Sequence, residues 1–213
     1  MKVDLRCRSS QRRNSQYCQG DFRRHCGQGR ADAFPPALYA EAYALARKAG
    51  LKCTAHCCED YLTPLEAPPT NYLICRDVLK CDRIDHGYNM LASEYVLAEA
   101  RRDGLYFTPC AWTSLVHNRP HRPRRIRGLV EAGLNVTINT DDPAMFQTNL
   151  GHGFTTLFET IGWGPDMARK FSLNSVEGSW LDESAKAALR IEFRRQIAAL
   201  DKEFGYEATA LKV

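Results

Sequence analysis

From Phe34 onward, short runs of β-branched, aromatic and sulfur-bearing residues alternate with longer stretches whose apolar positions recur every three or four residues. Short apolar runs fit buried strands, and the three-to-four spacing fits helices lying against them. Phe34-Pro35-Pro36 opens a helix that runs to Ala49, with Leu38, Ala42, Leu45 and Ala46 or Ala49 on one stripe, and Gly50 stops it. A strand at Leu51–Ala55 follows. A helix around Tyr72–Lys80 precedes a strand at Cys81–Asp85. Ser93 caps a helix through Arg102 that Gly104 ends, before a strand at Leu105–Cys110. A helix around Arg124–Ala132 ends at Gly133, before a strand at Leu134–Thr140. The tripeptide joints Gly50-Leu51-Lys52, Gly104-Leu105-Tyr106 and Gly133-Leu134-Asn135 repeat the same helix-to-strand turn. After Asp142 the pattern predicts helices only, near Leu150–Ile161, Pro165–Ser175 and Leu181–Phe204, and a loose terminus from Gly205.

The strand ends fall at His56, His86, Cys110 and Asp141, spaced 30, 24 and 31 residues apart. Helix–strand alternation at that spacing predicts a parallel α/β architecture of the (βα) barrel type. Such a fold gathers chemistry at the C-terminal ends of successive strands, and three of these four ends carry metal-binding or proton-moving side chains. His56, His86 and the pair Asp141-Asp142 are therefore expected on one rim of a curved parallel sheet.

His56 is followed three residues later by Glu59. Imidazole is the commonest zinc ligand, and a carboxylate at that spacing can turn into the same pocket as a proton donor. A surface pair is the plainer reading of those two residues taken alone. His86 precedes Gly87, which permits a sharp turn or close approach at the rim; alone, it equally fits a hydrogen-bonded rim histidine. Asp141-Asp142-Pro143 ends a strong strand with two like charges, a costly arrangement without a cation or hydrogen-bond donors. A turn at Asp-Pro is the competing reading. Cys53, His56, Cys57 and Cys58 offer a rival structural zinc site, but adjacent thiols chelate a tetrahedral ion poorly and no Cys-x-x-Cys knuckle accompanies them. Cys53 and Cys57 are expected as packed residues, with Cys58 near the pocket.

Composition changes the picture in one place. The 213-residue chain has a formal charge of +4, yet residues 1–32 hold eight basic residues against three aspartates, leaving +5 there and −1 in the rest. Residues 1–33 are expected to form a poorly structured basic tail, 34–204 the α/β region, and 205–213 a terminal tail. A near-neutral body carries no general footprint for nucleic acid, leaving the tail as the only candidate arm. Nine cysteines, an odd number at irregular spacings and with no export signal, predict reduced thiols in a cytoplasmic protein. No stretch reaches the ~18–20 apolar residues of a membrane span.

Three ordered segments carry a resemblance. Thr54-Ala55-His56-Cys57-Cys58-Glu59, Arg83-Ile84-Asp85-His86-Gly87 and Asn139-Thr140-Asp141-Asp142-Pro143-Ala144-Met145-Phe146 resemble the adenosine deaminase family of purine deaminases over roughly Phe34–Leu200. The resemblance implies a (βα)₈ TIM-type barrel with one zinc ion (Zn2+), of which this sequence holds roughly strands 5–8, flanking helices and a C-terminal helical extension. It implies that His56 and Asp141 bind zinc, that Glu59 protonates N1 of the purine, and that His86 serves as base. It also implies that Asp142 bonds N7 and that Thr113 supplies a hydroxyl to the substrate. The implied reaction is hydrolytic deamination of adenosine or adenine to inosine or hypoxanthine.

Three departures stand beside it. No His-x-His pair occurs in this sequence, so the family's two further zinc ligands are missing. Cys57-Cys58 replaces a small Ala-Gly, and Cys110-Ala111-Trp112-Thr113 replaces Cys-Pro-x-Ser. The expectation is thus a family protein represented by its C-terminal half, short of the His-x-His ligands that activity by itself would need. The alternative is a non-catalytic half-barrel that associates with itself or a homologue through open sheet edges.

Overall fold

The computed structural model describes residues 17–20, 36–59, 67–112 and 121–206. Among them the chain folds as two compact units, Met1–Pro109 with Gly128–Asn135, and Cys110–Arg127 with Val136–Val213.

The first unit holds the sheet. β1 (Tyr17–Gly20), β2 (Lys52–Cys57), β3 (Arg83–His86) and β4 (Tyr106–Phe107) lie in that order, and the order continues to β5 (Asn135–Val136). The neighbours from β1 to β4 are parallel, with Cys53 beside Cys18, His56 beside Asp85 and Ile84 beside Phe107. β1 falls inside the stretch expected to carry no strand. Its four residues lack an apolar run, so only the pairing with β2 makes them a strand. The rest of residues 1–33, and 207–213, lie outside the described residues.

α1 (Ala40–Lys48), α2 (Asn71–Asp77) and α3 (Glu94–Asp103) alternate with these strands, and a 3-10 turn at Pro36–Tyr39 leads into α1. The helices end close to their expected places. Ser93 Oγ accepts from the Val96 N–H at 3.3 Å, and Gly104 closes α3 at φ +67°. The predicted stripe of α1 is corrected in part: Ala46 is buried as expected, but Leu38 and Leu45 are exposed and Tyr43 is buried in their stead. Tyr43 is held by its hydroxyl, which donates to the Thr54 carbonyl at 2.8 Å. A buried phenol with a backbone partner outcompetes the aliphatic positions one turn away.

Both faces of β2 and β3 are covered, as near-continuous burial of parallel strands requires. Cys53, Ala55 and Cys57 share a face with Ile84 and Phe107, and Tyr72 of α2 lies over that face with its ring 6.0 Å from Phe107. Thr54, His56, Arg83 and Asp85 form the other face. Burying Ile84 or Phe107 contributes about 1.5–3 kcal/mol each.

Among its described residues the second unit holds Val136 of β5, the isolated bridge that pairs Cys110 with Asn139, and helices. It contains α5 (Leu150–Ile161), α6 (Pro165–Glu177) and α7 (Glu183–Phe204), while α4 (Arg122–Glu131) spans the division between the units. Phe154, Phe158, Trp163 and Phe171 make its aromatic cluster, with Trp163 and Phe171 centroids 5.3 Å apart. Arg169, buried, binds Asp201 through paired contacts at 3.1 Å and ties α6 to α7. No helix among the described residues is long and apolar enough to cross a membrane.

Candidate active site

Strand pairing places the first part of the site. In a parallel ladder, residues side by side point to one face. His56 therefore shares a face with its neighbour Asp85, and His86, beside Cys57, would fall on the opposite face. The backbone corrects this at His86 itself, which adopts φ +73° just before Gly87 at φ +84°. The left-handed turn brings the His86 ring edge-on to His56, centroids 4.6 Å apart. A non-glycine residue there costs about 1–2 kcal/mol. Cys58, leaving β2, adopts φ +50° in the same way. Strain at chain positions that aim functional side chains is a recurring feature of active sites.

Gly87 cannot be replaced freely. A Cβ there would stand 3.0 Å from Phe107 Cδ1, on a backbone that disfavours side chains. Beyond it, Tyr88 stacks on His86 at 5.7 Å between centroids. Asn89 then grips the exit of β2. Its N–H donates to the Cys58 carbonyl at 2.8 Å, and its side-chain amide donates to the carbonyls of Glu59 at 3.3 Å and Ala67 at 3.0 Å. That grip positions Glu59, whose Oε2 lies 3.9 Å from His86 Nε2.

Asp85 is the centre of the polar face. Its Oδ2 is 3.1 Å from His56 Nδ1, and its Oδ1 accepts from the hydroxyls of Thr54 and Thr108, both at 2.8 Å. Arg83 Nε stands 3.5 Å from the same oxygen. Burial alone would raise the Asp85 carboxyl; His56, Arg83 and His86 outweigh it and hold it well below the usual carboxylate range. His56, Glu59, Asp85 and His86 are all buried.

The second unit carries the aspartates. Asp141, half-buried, takes φ +63°, and Asp142 is exposed. The segment after them is a tight turn, with Phe146 N–H donating to the Asp142 carbonyl at 2.9 Å and Thr148 N–H to Pro143 at 3.0 Å. Trp112 braces it by donating from Nε1 to the Phe146 carbonyl at 3.1 Å, and its ring stacks on His152 at 5.5 Å. Thr113 lies outside the described residues.

The donor set fits a zinc ion. Imidazoles and carboxylates at strand ends are its usual ligands, and His56 shows the carboxylate partner that metal-binding histidines rely on. The rival cysteine site does not assemble: His56 is turned to Asp85, and no group of three or more ligating side chains that includes a cysteine converges among the described residues. Cys53, Cys57 and Cys58 are buried and in no disulfide, with Cys57 and Cys58 sulfurs 3.3 Å apart. Burial pushes the Cys57 thiol well up, consistent with a packed residue.

The family profile for adenosine deaminase matches residues 28–195. The chain belongs to the adenosine deaminase family. An adenine deaminase from Albidiferax ferrireducens is 32% identical over 161 residues, covering 71% of this chain and 43% of that protein. One from Ectopseudomonas mendocina is 32% identical over 149 residues, covering 68% and 44%. The chain therefore spans less than half the length of these curated relatives. An amidohydrolase from Burkholderia ambifaria, solved with bound zinc, superposes with a TM-score of 0.73 at 28% identity, over 84% of this chain and 50% of that one. An adenine deaminase from Arthrobacter aurescens has the same fold, with a TM-score of 0.71 at 24% identity over 80% and 51%. The parallel sheet with flanking helices is thus a portion of the (βα) barrel of this family.

Sequence reasoning missed Asp85, Thr54, Thr108 and Asn89 as parts of the site. The signal for the first was available: Thr54 and His56, like Arg83 and Asp85, sit two residues apart in short strands, which puts polar groups on one face of each. Asn89 left no such trace, because its partners are backbone carbonyls distant in sequence.

Proposed function

We propose that this chain carries residues of a zinc-dependent site for hydrolytic deamination of a 6-aminopurine. Adenine is the substrate favoured by the names of the curated relatives, with adenosine as the alternative. The observation that carries the reading is the buried cluster in which His56 bonds Asp85 and abuts His86, with Glu59 beside it.

His56 and Asp141 would hold the zinc ion. Bound zinc supplies a lowered pKa for water and electrostatic stabilisation of developing charge. His86 accepts a proton from the attacking water as the C6–oxygen bond forms. Glu59 delivers a proton to N1, which makes C6 electrophilic. Asp142 hydrogen-bonds N7, and Thr113 contacts the substrate. The proton taken by His86 passes to the departing amino group as the C6–nitrogen bond breaks, ammonia leaves, and the C6 hydroxyl proton returns to Glu59, so hypoxanthine remains, or inosine from adenosine. A cytoplasmic role in purine metabolism accords with this chemistry.

The test is ammonia release by the full chain supplied with zinc and adenine, then adenosine. Turnover that Glu59→Gln removes supports the reading. Absence of turnover with both purines overturns it for this polypeptide. A second reading, a non-catalytic half-barrel that pairs with itself or with a homologue through its sheet edges, is favoured by the absence of any His-x-His from the sequence. Sedimentation showing a dimer without deaminase activity would support it, and a monomer would count against it.

A further inference from the structure

His56 can serve a metal only through a nitrogen with a free electron pair, so its tautomer matters before any ion arrives. The structure bears directly on that choice. His56 Nδ1 lies 3.1 Å from Asp85 Oδ2, and the other Asp85 oxygen accepts from Thr54 and Thr108 at 2.8 Å each. Thr54 stands on β2 two residues before His56, Asp85 on β3 beside His56, and Thr108 just past β4. The carboxylate is thus pinned from both sides in the sheet plane, with one oxygen committed to the hydroxyls and the other turned to the imidazole. Arg83, at 3.5 Å from Oδ1, adds positive charge on the hydroxyl side. Thr54, His56 and Asp85 are buried and Thr108 and Arg83 half-buried, and the burial strengthens the bonds at the carboxylate.

We propose that Asp85, clamped by Thr54 and Thr108, is a positioning residue that presets His56 as the Nδ1–H tautomer and so presents its Nε2 electron pair for a metal ion. The role rests on the proposed function only for the identity of the metal. The preset tautomer is a property of the protein alone. A carboxylate accepts, so the ring nitrogen facing it donates. The clamp also explains what an amide would do in its place. In Asp85→Asn the oxygen would stay with the two hydroxyls, and the amide nitrogen would face Nδ1. An N–H aimed at Nδ1 requires that nitrogen to accept, which moves the ring proton to Nε2 and blocks the metal position. The same logic governs the misplaced tautomer produced by an Asp→Asn change in serine proteases.

The test uses the full chain with ¹⁵N-labelled histidine and no added metal, His56→Gln serving to assign the signals. Long-range ¹H–¹⁵N spectra should show His56 protonated at Nδ1 and bare at Nε2, and Asp85→Asn should exchange the two. Competition with a chromophoric chelator should then show zinc affinity falling about 10–100-fold in that variant. If Asp85→Asn does not fold, Thr108→Val keeps the charge and removes one arm of the clamp; mixed tautomer signals are then expected. A wild-type His56 protonated at Nε2, or spectra unchanged in the folded variants, overturns the proposal. A tautomer exchange in a chain that fails to deaminate purines would uphold Asp85 and remove the deaminase reading, so the two failures are distinguishable.

Discussion

Two strand-end regions of this protein treat their ionisable groups very differently. At the ends of β2 and β3, His56, Glu59, Asp85 and His86 are 8%, 5%, 5% and 1% exposed, and Thr54, Asp85 and Thr108 tie β2, β3 and the segment just past β4 together there. In the segment beyond β5, Asp141 is half-buried and Asp142 exposed, and the bonds that shape their turn are made by the backbone and by Trp112. Buried polar groups lose their hydration and must find partners, so the first region is set by hydrogen bonds before any ligand binds. Exposed acids keep their water, and only the turn that carries them is shaped. Both regions hold a left-handed residue, His86 at +73° at the end of β3 and Asp141 at +63° five residues beyond β5. The shared device is backbone geometry, and the difference lies in desolvation.

The sharpest break of this comparison is catalytic. Glu59→Gln should lower purine deamination by about 10²–10⁴-fold, measured as ammonia release by the zinc-supplied full chain. Asp142→Ala should raise KM with a far smaller effect on kcat, because an exposed acid contributes mainly substrate binding. Equal effects of the two changes would erase the distinction.

Next in size is packing beneath the buried region. Phe107→Ala should cost about 3–5 kcal/mol in urea unfolding, since its ring is fully buried against Tyr72 and the Gly87 turn. Two glycine substitutions compare the turns themselves. Gly162→Ala, after α5, meets nothing within 4 Å and should cost about 1–2 kcal/mol for its positive φ alone. Gly87→Ala carries the same backbone cost plus the contact with Phe107, and its loss should exceed that of Gly162→Ala by about 1–3 kcal/mol. An equal loss at both sites would show that the β3 exit is looser than its contacts imply.

The smallest effect belongs to the surface of the second unit. Arg190 donates to Glu177 at 2.6 and 3.0 Å and holds its carboxyl below the ordinary value. A depressed carboxyl stabilises the fold above its unfolded value near 4.5 and loses that contribution as pH falls through the folded one. Urea midpoints should therefore drop slightly more steeply below about pH 4.5 in the wild type than in Arg190→Met. Parallel curves would show solvent screening to be complete there.

Much of the architecture was legible because it depends on local signals. Ser93, Gly104, Gly133 and Pro165 mark helix ends through their own backbone preferences, and α5 spans the expected Leu150–Ile161. Strand type was legible from apolar runs, although β4 and β5 are shorter than those runs, because ladder pairing rather than propensity sets where a strand stops. β1 was not legible at all. Tyr17–Gly20 has no apolar period, and its pairing partner lies 35 residues along the chain. The stripe of α1 was misjudged for a related reason: Tyr43 is buried by a carbonyl on β2, a partner no helical period contains.

The sequence by itself determined the alternation of helices and parallel strands, the family, and which residue types stand at the strand ends, because periodicity, capping and short motifs are properties of neighbouring residues. Tertiary structure alone decided that His86 turns to the His56 side of the sheet, that Asp85 rather than a cysteine holds His56, and that Asn89 secures Glu59. Each of these depends on register between strands and on burial, which are set by contacts about thirty residues apart and by the removal of water from them.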